Sequence, residues 1–209
     1  MKINRRNFLG MVGTGATVLG VGPLVANNLV SLAGEGMHVQ SVQKKGDTVI
    51  LLAHPDFAKS KANKALINAV KDNADVRVVE LYTAPFTLEH YKPIISAAKT
   101  IVFQFPFYWA SAPSMLKKWC DEILMGLTNE VKGKKLLVAT TTGSEQDAYR
   151  SGGRNQYTLD ELLRPYQLLA NHSGMIWQTP FVVYGASLPD ADKRIKAGAA
   201  SYKEIIHAL

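Results

Sequence analysis

The sequence predicts an α/β protein: a parallel sheet of five strands with helices on both faces. Two observations predict it. Short, continuous apolar runs recur along residues 47–209, as in strands covered on both sides. Each run is followed by a stretch whose apolar residues recur with helical spacing. Strand and helix in alternation give a doubly wound sheet, because parallel neighbours can be joined only by a crossover. The length of 209 residues fits one domain with an appendage, and a composition 47% hydrophobic and 20% charged can bury a core.

The elements follow in order. Thr48–Ala53 is the first strand. Ser60 can cap a helix to about Asn73, with Ala62, Ala65, Leu66, Ala69 and Val70 inward. Val76–Leu81 is the second strand; a short helix is expected near Lys92–Ala98, and Thr100–Phe105 is the third strand. Pro113 to about Leu127 reads as helix, Gly133 opens the fourth strand at Lys135–Thr140, and Tyr157–His172 is a helix that Pro165 bends or interrupts. Met175–Tyr184 holds the fifth strand, and Asp190–Ala208 is the last helix.

The N-terminus has the layout of a targeting segment. Lys2, Arg5 and Arg6 precede an apolar run from Phe8 to about Val25, and no acid occurs in residues 1–33. Asn4-Arg5-Arg6-Asn7-Phe8-Leu9 resembles the twin-arginine export motif, and Ser31-Leu32-Ala33 offers a small-x-small cleavage site. The expectation is a signal peptide over residues 1–33, a tether over 34–46, a domain over 47–209 and a periplasmic location. An uncleaved membrane anchor is the alternative, weakened by the glycines and Pro23 in the run. Twin-arginine export carries folded proteins, often with a cofactor bound, and so points toward redox chemistry.

Composition excludes several classes. The single cysteine, Cys120, forbids an internal disulfide and any Cys-rich metal site. The five histidines show no metal-ligand spacing, and there is no block of basic residues, so neither a zinc protease nor a nucleic-acid surface is expected.

In sheets of this kind the ligand binds at the carboxyl ends of the strands, where strand order reverses. That draws attention to three loops. His54–Asn63 leads into a helix whose first N–H groups and positive dipole end form a ready phosphate site, with Ser60 and Asn63 as side-chain donors and Lys59 and Lys61 adding charge. It contains no glycine, so it is neither a P-loop nor a dinucleotide fingerprint, and an ordinary capped helix with solvated lysines is the alternative reading of this loop taken alone. Phe105–Pro113 carries Phe107, Tyr108 and Trp109 in succession, costly to expose and suited to covering a flat heteroaromatic ring, or to packing at a dimer contact. Thr140–Glu145 brings hydroxyls and Gly143 to the polar edge of such a ring.

These loops carry a resemblance. His54-Pro55-x4-Ser60-x2-Asn63, Pro106-x2-Trp109-x3-Pro113-x2-Leu116-Lys117-x-Trp119 and Thr141-Thr142-Gly143 resemble, in order, the motifs of the flavodoxin-like NAD(P)H:quinone oxidoreductases. The short FMN-binding type, which includes the ancillary oxidoreductases of glutathione-gated potassium efflux systems, is nearest in size. The resemblance spans about residues 47–208. It implies a flavodoxin-like sheet of order 2-1-3-4-5 and bound FMN, with FAD as the alternative. Ser60, Ala62 and Asn63 would hold the phosphate with His54 beside it. Pro106, Phe107, Tyr108 and Trp109 would line the flavin ring, and Thr141, Thr142 and Gly143 would bond its pyrimidine edge.

Tyr149 matches a family tyrosine that lies over the flavin, but Asn155 stands where its histidine partner is expected, and Ser144 stands where many members have glycine. The implied activity is two-electron reduction of a quinone or similar small acceptor, by a ping-pong scheme with NAD(P)H as donor, in a homodimer. Two alternatives remain at this point: a flavodoxin-type electron carrier, disfavoured by the mild positive charge, and a flavin-free regulatory subunit of a membrane transporter. An exported domain would sit away from cytoplasmic NAD(P)H, so an unknown periplasmic donor is also considered.

Overall fold

The structure is a computed structural model that describes residues 46–209. The export segment with Arg5 and Arg6, and all but the last residue of the tether, lie outside the described residues. The elements run β1 (Thr48–Leu52), α1 (Ala62–Val70), β2 (Val76–Glu80), α2 (Leu88–Ala97), β3 (Thr100–Pro106), α3 (Ser114–Glu122), α4 (Thr128–Val131), β4 (Lys135–Thr141), α5 (Leu159–Leu162), α6 (Arg164–His172), β5 (Ile176–Trp177), β6 (Phe181–Val183) and α7 (Ala191–Ala208). The strands are ordered β2-β1-β3-β4-β5, with β6 also on β4, and all pairs are parallel.

The continuous apolar runs are explained by a core on each face. Val49, Leu51, Ile101, Phe103 and Val138 point to one side, against Tyr91 and Ile95 of α2 and Leu116 and Trp119 of α3. Ile50, Leu52, Val102, Leu137 and Ala139 point to the other, against Leu66 and Val70 of α1 and Tyr202 and Ile206 of α7. Side chains alternate across each strand, so a strand buried on both faces must be apolar at every step.

Three boundaries differ from expectation, and one expected break is present. The fifth strand is split: β5 pairs with Lys135 and Leu136, β6 with Ala139 to Thr141, and Gln178–Pro180 intervene. Pro180 has no N–H to give the ladder, which favours an interruption there. The helix read from Ser60 begins at Ala62, after a 3-10 turn over Phe57–Lys59. The helix read near Lys92 begins earlier, at Leu88, because the Thr87 side chain accepts from His90 N at 3.3 Å. As expected, the helix before His172 is interrupted at Pro165: α5 closes at Leu162 and α6 starts at Arg164 with Pro165 in its first turn, a position where a missing N–H does no harm.

Candidate functional site

The carboxyl ends of β1, β3 and β4 converge on a cleft of about 550 Å³. From the first loop, His54, Ser60, Ala62 and Asn63 line it. The Ser60 hydroxyl accepts from Asn63 N at 3.1 Å, which caps α1 and leaves the Ser60 proton free to donate. The first turn of α1 holds no acidic residue, so its orphan N–H groups present an uncompensated positive end. Lys59 pairs with Asp56 at 2.7 Å and Lys61 with Asp192 at 3.7 Å, both in solvent. His54 Nδ1 accepts from Asp56 N at 3.2 Å. Partial burial pushes His54 below the usual histidine value, with the Asp56 charge opposing, so the ring is neutral near pH 7.

From the second loop, Pro106, Phe107, Tyr108 and Trp109 line the cleft. Phe107 N donates to Thr141 O at 2.9 Å, tying the loop to the end of β4. Tyr108 and Ser111 exchange both backbone hydrogen bonds at 2.9 Å. The two residues between them, Trp109 (φ 46°) and Ala110 (φ 62°), are left-handed. This is a tight hairpin of the kind that normally asks for Asn-Gly, so a tryptophan and an alanine hold it under strain. The aromatics part company. Phe107 is buried, Tyr108 half-exposed and Trp109 fully in solvent at 101%.

From the third loop, Thr141, Thr142 and Gly143 line the cleft. Thr141 Oγ1 accepts from Asn63 Nδ2 at 3.3 Å, and Thr142 Oγ1 donates to Ser144 O at 2.8 Å. A Cβ on Gly143 would lie 3.1 Å from Ser187 Oγ, so the backbone approaches its neighbour as only glycine does without a shift. Ala186 and Ser187, after β6, complete the wall. Sequence reasoning missed them, although the rule that ligands gather at carboxyl strand ends could have found them.

Tyr149 and Asn155 do not line this cleft. Tyr149 packs its ring against Phe107 (6.1 Å between centroids) and Tyr184 (5.9 Å). Burial pushes its hydroxyl pKa up, opposed by hydrogen bonds with the Ser144, Thr142 and Asn155 side chains and by the Arg154 charge. The phenol is therefore protonated and set among polar groups beside the third loop. Asn155 N donates to Ala148 O at 3.0 Å. Arg154, not anticipated from sequence, donates from Nη2 to Ser144 Oγ at 2.6 Å, which gives the serine at that position a use a glycine could not serve. Gly153 is forced: a Cβ there would fall 2.4 Å from Asp147 O.

A larger depression, about 1000 Å³, lies at the amino ends of the strands, lined by Asp47, Asp72, Asp75 and Lys99 among others. Its three carboxylates stand among Lys99 and Lys203, with Lys99 paired to Asp47 at 2.9 Å, so its charge is mixed. The smaller cleft suits a ligand with an anionic end, a flat ring and a polar ring edge.

The chain is similar to several known proteins. The glutathione-regulated potassium-efflux system ancillary protein KefG of Pectobacterium atrosepticum is 36% identical over 148 residues, covering 66% of this chain and 81% of that protein. The structure of general stress protein 14 from Treponema denticola, in complex with FMN, is 29% identical with a TM-score of 0.72 and covers 77% of this chain and 98% of that one. That of an NADPH-quinone reductase from P. pentosaceus is 26% identical with a TM-score of 0.66, covering 76% and 96%. The flavodoxin-like fold family matches residues 47–206, from the start of β1 into the last turn of α7, and the chain belongs to that family.

Proposed function

We propose that the protein is an FMN-dependent NAD(P)H oxidoreductase that reduces quinones or similar small acceptors by two electrons. One observation carries the reading: an acid-free helix N-terminus, an aromatic hairpin and a Thr-Thr-Gly edge share one cleft at the strand carboxyl ends. The FMN-bound and NADPH-quinone reductase structures to which the chain is similar support it.

The residues present fit FMN, and each has a part. The first N–H groups of α1 and the Ser60 hydroxyl donate to the phosphate, with Asn63 beside them. Phe107, Tyr108 and Trp109 cover the ring system and keep water from it. Thr141 donates to the pyrimidine edge. The Thr142 oxygen, whose own proton goes to Ser144 O, accepts from a ring N–H. Bound FMN would supply the redox chemistry, taking a hydride from a nicotinamide and passing two electrons to the acceptor. Tyr149 donates a hydrogen bond to the acceptor oxygen as negative charge develops there. Donor and acceptor use the same open side in turn, a ping-pong scheme, and a second copy of the chain closes that side. The similarity to the FMN-bound general stress protein 14 structure favours FMN over FAD.

Purified protein should be yellow, release FMN on denaturation and give parallel lines in double-reciprocal plots with NADH or NADPH and a quinone. A colourless protein that takes up no FMN overturns the reading. We further propose that the twin arginines direct export, so that Arg5→Lys with Arg6→Lys retains the precursor inside the cell, since a paired-arginine receptor reads geometry as well as charge. Normal periplasmic levels of that double variant on fractionation would sink the export proposal. An exported enzyme would draw on a donor other than cytoplasmic NAD(P)H.

A further inference from the structure

We propose that Gln104 and Tyr202 are positioning residues that fix the polarity of the cleft, turning Asn63 and Thr141 so that both offer hydrogens to an anionic, acceptor-rich ligand. The proposal rests on the FMN reading and adds residues that reading did not use.

Gln104 is the polar residue in the otherwise apolar middle of β3, and it is completely buried. Tyr202, on α7, is buried as well. A buried amide is tolerated only if every part of it is satisfied, and here it is. Tyr202 Oη donates to Gln104 Oε1 at 2.9 Å. Gln104 Nε2 donates to Asn63 O at 3.2 Å and to Asn63 Oδ1 at 3.3 Å. Asn63 Nδ2 then donates to Thr141 Oγ1 at 3.3 Å.

The direction of this chain is not a free choice. A side-chain amide can flip, but the main-chain carbonyl of Asn63 cannot, and it demands the N–H end of Gln104. Flipping Gln104 would set its oxygen against the two oxygens of Asn63. With Gln104 fixed, Asn63 must turn its oxygen inward and its NH2 toward Thr141 and the cleft. Thr141 Oγ1, already accepting, is left with a proton to give outward, and one N–H of Asn63 remains as well. Tyr202 closes the inner end by donating to Gln104 Oε1; burial pushes its pKa up, so it keeps its proton. Asn63, beside the phosphate, and Thr141, at the ring edge, are thus held as donors by partners that do not line the cleft, an arrangement that favours an acceptor at each place and disfavours a cation or a donor-rich ligand.

The test is the preference of the full-length apoprotein for FMN over riboflavin, which differ by the phosphate. Gln104→Met keeps length and removes both polar ends; Tyr202→Phe removes one hydroxyl. Gln104→Met is expected to weaken FMN binding by about 10–100-fold, the worth of a misdirected bond to a charged group, with a smaller loss for riboflavin, so the FMN:riboflavin ratio falls. Tyr202→Phe should lower the ratio by ~3-fold, about half the logarithmic effect of a tenfold change, and decides the matter if Gln104→Met does not fold. A structural role predicts equal losses of both flavins, and an unchanged or proportionate loss in the folded variants overturns the relay while leaving FMN binding by the wild type standing. A wild type that binds neither flavin overturns the cofactor reading and the relay together.

Discussion

Asn63 and Thr141 line one part of the cleft and Tyr108 and Trp109 another, yet the first pair is bonded into the core and the second stands in solvent. Behind Asn63 lie buried hydrogen bonds that reach α7. Behind Trp109 there is a strained turn held by its own backbone bonds and by a 3.3 Å bond from Ala112 N to the Tyr166 hydroxyl. The difference teaches which side must be ready before a ligand arrives. A phosphate is recognised by donors already aimed, because orienting them at the moment of binding would cost the energy that binding gains. The ring-covering side gains from staying open, since donor and acceptor must both reach it.

That contrast can be broken at several points. Asn63→Ala should have the largest effect, because it removes a ligand donor and one of the two acceptors of the buried Gln104 NH2 together. Stability should fall by about 1–3 kcal/mol in urea unfolding, and FMN affinity by about 10–100-fold. An affinity equal to that of the wild type would place the phosphate elsewhere. Gly153→Ala strikes the exposed side. The added Cβ would meet the Asp147 carbonyl, and relief by backbone movement should cost about 1–3 kcal/mol. FMN affinity should hold, because the Asn63 wall is untouched; if FMN is lost with it, the two sides are not independent. Tyr149→Phe should be mildest. Proton donation is worth ~10²–10⁴-fold with a full acid–base group, and with Asn155 as partner about tenfold is expected in stopped-flow reoxidation by a quinone, at unchanged FMN content. Reoxidation at the wild-type rate would make Tyr149 a packing residue.

Much of this was legible from residues close together in the chain. The apolar runs of β1, β3 and β4 gave strands buried on both faces, and the capping hydroxyl of Ser60, the aromatics after Pro106 and the Thr-Thr-Gly turn marked the loops that the structure brings together. What was not legible depends on distance or on backbone angle. The use of Gln104 depends on Tyr202, 98 residues away in sequence, which meets it in the core. The close approach at Gly153 exists only because the chain folds back on Asp147. The break at Pro180 could have been read, since proline cannot serve a central ladder, but a run of β-formers on both sides hid it. Nothing in the order of residues announces that Trp109 and Ala110 share a left-handed turn.

The exposed hairpin also makes the protein its own optical gauge. Of the three tryptophans, Trp119 is sealed in the core and Trp177 is half-buried, while Trp109 stands wholly in water at the rim of the cleft. Emission from an indole shifts with the polarity around it, so an occupant that covers the hairpin changes the signal of Trp109 while Trp119 supplies a fixed background. Ligand arrival at the open side can therefore be followed in the unlabelled protein, separately from events at the phosphate end.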